Sequence, residues 1–424
     1  MNQTFRSFRV RNYRLFATGQ LVSLTGTWMQ MVGQDWLVLS LGGHGLALGI
    51  VTAMQFVPMV FFGMYGGMLA DRYPKRTILL CTATASGLLA AVLSVLVATG
   101  TVQVWMVGVL ALLLGTVSAI DMPSRQSFVV EMVGPDDLVN AVALNSATFN
   151  SARILGPAIA GVLIAGVGIA PVFAVNALSY VAVLIGLAAM RVSELQPSTR
   201  LERGRGQLRE AVVYVVKRRD LLLPVALVGV LGMFAFNSQI TLALMAKDVF
   251  HRSAGTYGAL TSALAVGALG GALLSARRGR PRVALLVGSA IAFGALEVVV
   301  GLAPSLIAFT LLLVPTGVLM ITFASTANAI VQLSAGEEIR GRVMALYSLV
   351  FLGGTPVGAP LIGWLAQHFG ARSGLILGGL ASVVATIAIT AVLLRTASRD
   401  AVRHPRDFAR QLRSSIGATS DAVR

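Results

Sequence analysis

The sequence predicts an all-α polytopic membrane protein, with twelve transmembrane helices arranged as two six-helix halves. Three observations carry this reading. Hydrophobic residues make up 56% of the 424 residues and charged residues only 12%, whereas a soluble globular domain carries roughly 25% charge. Apolar stretches long enough to cross a bilayer, about 20 residues each, recur along the whole chain. Lysine and arginine collect on alternate connections between those stretches, the asymmetry that fixes orientation in a membrane.

Bounded by Gly, Pro or charge clusters, the spans are predicted at 15–41, 47–70, 77–98, 104–122, 140–166 and 171–190 in the first half. In the second half they fall at 221–246, 255–276, 283–303, 305–331, 342–367 and 373–394. The basic residues before 15–41 (Arg6, Arg9, Arg11, Arg14) precede an apolar stretch too long for a signal-peptide core, so it is expected to be a retained span. Of the 33 Lys+Arg, 29 lie on one set of alternate connections and the two ends; Lys247, Arg252 and Arg372 lie on the opposite set and Arg153 inside a span. This places both termini in the cytoplasm, requires an even number of spans, and accounts for the net charge of +16 without a nucleic-acid partner.

The polar stretch 191–220 divides the chain. The expected organisation is a six-helix bundle over 1–190, a cytoplasmic linker over 191–220, a second bundle over 221–394 and a basic cytoplasmic tail over 395–424. A shift of 202 residues aligns Ala143/Ala345, Leu144/Leu346, Ser146/Ser348, Phe149/Phe351, Gly156/Gly358 and Gly161/Gly363. Two six-span halves in parallel repeat are a transporter architecture. Arginines at 395, 399, 403, 406, 410 and 413 suit either adsorption to anionic lipid or a disordered topology tail.

Several chemistries are excluded. Cys81 is the single cysteine, so neither an intramolecular disulfide nor a cysteine zinc site is available. None of Lys75, Lys217 and Lys247 follows a glycine, so no Walker A phosphate loop exists; H-E-x-x-H and G-x-S-x-G are absent too. Neither an enzymatic activity, nor a cofactor, nor a metal is expected.

The strongest motif is GMLADRYPKR over 67–76, with Gly67, Asp71, Arg72, Lys75 and Arg76 at the end of the second span. A small residue lets helices approach, and a carboxylate complements a helix N-terminus; taken alone, the stretch also reads as a positive-inside turn. It resembles the loop motif of the major facilitator superfamily, from which it departs at Pro74, where glycine is usual. The resemblance implies a gate in which Asp71 braces the first half against the start of the eleventh span, near Gly341. Asp121 to Arg125, the entry to span five, Arg153 with Gly156, Pro157 and Gly161, and the stretch 340–346 resemble the subfamily of the enterobactin exporter and macrolide efflux proteins. Gly156–Pro157 also resembles the antiporter motif of drug exporters, and makes a thin helix that serves either bending or packing. After span eight, Ser275 stands where the repeat would place an aspartate.

Ionisable groups within spans are costly and therefore functional candidates. Arg153 and Glu297 lie about 20 Å along their helices; Asp35 lies near the outer end of the first span and Asp121 near the inner end of the fourth. Asp121 is expected in a charge cluster with Asp71, Lys75 or Arg125. Asp35 is the first candidate for proton coupling, since a carboxylate alternating between dry and wet surroundings binds and releases a proton; a salt bridge to Arg153 or contact with outer water are the alternatives. Glu297 is the second and Arg153 the third. Thr27, Gln30 and Gln34 share one helical face and, with Asn237, Gln239 and Asn328, could line a mainly apolar pocket for bulky amphipathic solutes or bond helix to helix.

The reading is a monomeric proton-coupled exporter of a drug, macrolide or siderophore, resident in the cell membrane, whose partners are its substrate, protons and lipid. A metabolite importer or uniporter, or a non-transporting sensor, is the alternative.

Overall fold

The computed structural model describes residues 3–196, 207–278 and 281–403. Residues 197–206 of the linker and the tail arginines beyond Arg403 lie outside the described residues. Every regular element among those described is helical.

The helices are α1 (Arg11–Ser40), α2 (Gly45–Arg72), α3 (Lys75–Ala98), α4 (Val104–Val167) and α5 (Ala170–Ala188) in the first half. They continue as α6 (Gln207–Lys217), α7 (Arg219–Phe234), α8 (Ser238–Leu244), α9 (Ala254–Arg277), α10 (Val283–Gly301), α11 (Leu306–Ser334), α12 (Arg340–Phe369) and α13 (Ala371–Arg403). Among the described residues, ten stretches are long and apolar enough to cross a membrane. One of them, α4, has 64 residues, about three times what a span needs. It turns at Gly134, whose φ of 71° is open to glycine at little steric cost, and Pro135 starts the second arm, so α4 crosses twice. Helix α1 adds a further crossing: its 30 residues include buried Asn12, Gln20, Gln30, Gln34 and Asp35, which lower its apolarity but face protein. With these two additions the twelve predicted crossings are accounted for.

Four local features depart from the sequence reading. The expected loop between spans four and five is helical up to the Gly134 turn, and Asp71 sits on the last turn of α2 instead of in a loop. The crossing Arg219–Val249 is interrupted at 235–237, so α7 and α8 form one broken helix that ends in a π turn, Met245–Val249. The linker also folds a helix that composition alone did not mark, α6, tied to α12 by Arg342 and Glu210 at 2.5 Å.

An even number of crossings puts the basic connections on one face, termed the terminal face, and leaves a far face opposite. Packing differs between the two. One buried cluster near the far face draws on both halves, including Val38, Leu48, Phe173, Leu244, Tyr257 and Phe309. Towards the terminal face there are two separate clusters, one around Tyr13, Phe16 and Phe128 in the first half and one around Leu227, Phe323 and Tyr347 in the second. The halves are sealed together at the far face and have separate cores at the terminal face.

The repeated glycines build that seal. In bilayers close van der Waals packing at small residues holds helices together. A Cβ at Gly156 would come within 2.5 Å of Trp28 Cβ on α1, and a Cβ at Gly161 within 3.1 Å of Gly255 Cα on α9. Their repeat partners do the equivalent: Gly358 closes on Met233 of α7, and Gly363 on Gly45 of α2. In each half the first glycine meets that half's first helix and the second meets the opposite half. The pseudo-repeat seen in the sequence is thus a repeat of packing roles.

Candidate functional site

At the far seal, Asp35 projects from α1 about one and a half turns short of that helix's end. It is buried, and the Tyr257 hydroxyl of α9, buried too, donates to its Oδ2 at 2.6 Å. The Lys247 ammonium, from the π turn, donates to the Leu39 carbonyl at the end of α1. Gln367 Oε1 on α12 accepts from the Leu46 amide at 3.1 Å. These bonds join the two halves, and none of the three partner residues Tyr257, Lys247 and Gln367 was singled out from sequence. An aromatic near a membrane boundary reads first as an interface anchor, so Tyr257 gave no signal. Lys247 did give one: it is one of three cations on the connections that should lack them.

The polar face of α1 divides between neighbours. Gln30 accepts from Asn176 Nδ2 on α5 at 2.6 Å, Thr27 Oγ1 donates to the Ser23 carbonyl at 2.9 Å and lies 3.3 Å from the Tyr180 hydroxyl, and Gln34 donates to Gln55 on α2 at 3.2 Å. Gln30 and Gln34 therefore tie the first half together. Arg153 does not meet Asp35. Its guanidinium lies over the Trp28 ring, 5.7 Å from the centroid, and Trp28 meets Phe149 edge-on at 5.8 Å.

In the second half, Asn237 occupies the α7–α8 break, donating to the Met233 carbonyl at 2.7 Å while its buried Oδ1 has no partner. Gln239 reaches Met31 Sδ across the halves at 3.9 Å, and Asn328 accepts from Gln332 at 3.0 Å. Glu297 is buried and lines a small cavity of about 10 Å³ with Ser238, Thr241, Phe293, Thr316 and Met320, comparable to a single water site.

At the terminal face the motif residues bind the first half to itself. Lys75, 8% exposed, pairs with Glu131 on α4 at 2.5 Å, a partner the sequence reading missed. Arg76 donates to the Leu187 carbonyl at 2.8 Å and the Ala188 carbonyl at 3.3 Å, satisfying the end of α5. Asp121 pairs with Arg125 at 2.6 Å and accepts from Thr82 at 2.7 Å. Arg72 lies 5.9 Å over Tyr73, and Gly67 is buried. The close approach of α2 to α4 is made one position earlier, where Gly66 abuts the Ala119 carbonyl. A Cβ at Gly341 would meet nothing within 4 Å, while its neighbour Arg342 pairs with Glu210 of α6. The backbone at Gly156 and Pro157 stays helical, the turn in α4 being at Gly134. Ser275 bonds to Ser325 at 2.9 Å.

Two six-helix halves with a packing repeat, sealed at one face around buried ionisable groups, form a transporter's frame. The family model described as transmembrane secretion effector, within the major facilitator superfamily, matches residues 2–418. The chain belongs to this family. The transporter is 22% identical over 398 residues to macrolide efflux protein A of Streptococcus pyogenes, covering 92% of this chain and 98% of that protein. It is 28% identical over 134 residues to the staphyloferrin A transporter of Staphylococcus aureus, a match spanning 31% of this chain and 34% of that protein. Its fold is shared with a bacterial homologue of the human lysosomal transporter Spinster in an inward-facing, unoccupied state (TM-score 0.71, 15% identity, 93% and 96% of the two chains). The nucleoside transporter NupG also shares it (TM-score 0.70, 12% identity, 90% and 98%).

Proposed function

We propose that this transporter is a proton-coupled exporter of bulky amphipathic small molecules from the cell, acting by alternating access. The observation that carries the reading is the Asp35–Tyr257 bond, which places a buried carboxyl in the contact that seals the far face. The basic terminal face is cytoplasmic, in keeping with the charge asymmetry, and the protein resides in the cell membrane as a monomer. The moving bodies are 1–190 and 221–394, joined by 191–220. The two full-length and partial relatives described above, a macrolide efflux protein and a staphyloferrin A transporter, support a drug- or siderophore-like substrate.

In the inward-open state of this cycle the space between the halves faces the cytoplasm and takes up substrate. Opening the far face separates Asp35 from Tyr257 and wets the carboxylate. An outside proton then neutralises Asp35 and weakens its attraction for donors, because hydrogen bonds to an ionised acceptor are about twice as strong as neutral ones. After the far face closes, Asp35 gives that proton up to the cytoplasmic side, and the charged Asp35–Tyr257 bond is restored. At the terminal face, Asp71 on the end of α2 meets the start of α12 near Gly341 when the halves close there. The test is transport in proteoliposomes under a proton gradient: Asp35→Asn is expected to fold, bind and lose gradient-driven accumulation. Unchanged accumulation by that variant would remove Asp35 from the coupling.

A further inference from the structure

We infer that Arg153 is a recognition site for an anionic group, carboxylate-like in shape, on the transported molecule. The inference deepens the export reading by naming a substrate class, and rests on that reading only for the word transported.

Three observations point the same way. The first is direction. Residues on the second arm of α4 advance 100° each around the helix axis, as 3.6 per turn requires. Leu155, Ile159 and Val162, 40 to 73% exposed, form the outward row. Gly156 lies against α1, and Pro157 and Gly161 lie against α9. Arg153 falls between those two packed faces, opposite the outward row, and so points at the interior between the halves.

The second is depth. Arg153 lies one turn from Gly156, at the level of Trp28, whereas Asp35 is seven residues further along α1, about 10 Å nearer the far face. Arg153 thus sits on the terminal side of the Asp35–Tyr257 bond, at the level where Ser262 of α9 donates to the neighbouring Ile154 carbonyl at 3.0 Å.

The third is chemistry. A guanidinium offers five N–H donors in a planar fork, keeps its charge, and matches a carboxylate or phosphate in bidentate fashion. Here its one described partner is the Trp28 face, which supplies attraction and flatness but accepts no in-plane bond. The nearest acidic candidate, Asp35, is taken by Tyr257. A half-buried arginine at this depth, stacked on one side and unfilled at its edge, is pre-organised for an anion. Phe149 beside Trp28 extends the stacking surface for an aromatic or otherwise flat body joined to that anion.

The test uses two xanthene dyes of similar size and opposite charge, the dianion fluorescein and the cation pyronin Y. Each is titrated by fluorescence anisotropy into the detergent-purified full chain, with no gradient applied. The wild type is expected to favour fluorescein. Arg153→Gln should weaken fluorescein about ten- to a hundredfold, the range for a charge-assisted bond, and leave pyronin Y unchanged or improved. Arg153→Lys should keep part of the preference, and unfolding temperatures would show that each variant folds. Equal fluorescein affinity in wild type and Arg153→Gln overturns the inference, as does preference for the cation or failure of the wild type to bind fluorescein. Because binding is read without transport, these results are distinct from those of Asp35→Asn under a gradient.

Discussion

Replacing Tyr257 by Phe removes one hydroxyl from the far seal and leaves the ring that fills its site. Tyr257 is fully buried and donates to Asp35 at 2.6 Å, so no water replaces the lost donor while the face is closed. A hydrogen bond to a charged group contributes about 1.5–3 kcal/mol net; losing it from the closed state alone raises the open population about 10- to 150-fold. Were Asp35 neutral, the loss would be about 0.5–1.5 kcal/mol, or about 2- to 12-fold. The readout is labelling by a membrane-impermeant maleimide at Val38→Cys, a fully buried position in the far cluster. The exposed Cys81 is first replaced by Ser. Labelling of Val38→Cys should accelerate by the larger factor when Tyr257→Phe is added at alkaline pH and by the smaller one at acidic pH. Rates within twofold of the parent at both pH values would refute the assignment of Asp35 and Tyr257 as the latch.

Other expectations follow from single contacts. Breaking the part-buried Lys75–Glu131 pair with Glu131→Gln should lower the unfolding temperature in detergent; the double change with Lys75→Met should recover part of it. Gly363→Leu, whose side chain meets the Gly45 backbone, should hold the far face open, giving fast Val38→Cys labelling with no gradient dependence. Glu297→Gln should leave folding intact, as the shape is kept in the cavity, and difference infrared spectra should lose a buried carboxyl signal; an identical spectrum would mean Glu297 is ionised throughout.

Much of this molecule is legible in its sequence, for identifiable reasons. Spans announce themselves because every stretch in lipid must be apolar and long, and orientation because cations collect on one side. Even the packing seams were present, as Gly156, Gly161 and their partners 202 residues on, since the same close approach is needed twice. What escaped was pairing between distant elements. Nothing local to Tyr257 marks it as the partner of Asp35, or Glu131 as that of Lys75, because such matches depend on the tilt and depth of separate helices. The same limit explains Gln30 and Gln34: a shared face on α1 was readable, but that the face looks towards α5 and α2 was not. The count of crossings shows the converse, in that a single glycine at 134 lets one continuous helical stretch turn back, so loop prediction from charge alone overestimates the connection.

The glycine seams have a consequence for how such a machine is tuned. Where backbone lies on backbone, opening exposes little that water must solvate, so these contacts set the register of the two halves more than the bias between states. That bias is left to the few polar latches set into the seams, at Asp35 with Tyr257 and at Lys247 with the end of α1. Substitutions at those few positions can shift the resting posture of the protein, and with it the side from which cargo is collected, while the scaffold that guides the motion is inherited unchanged.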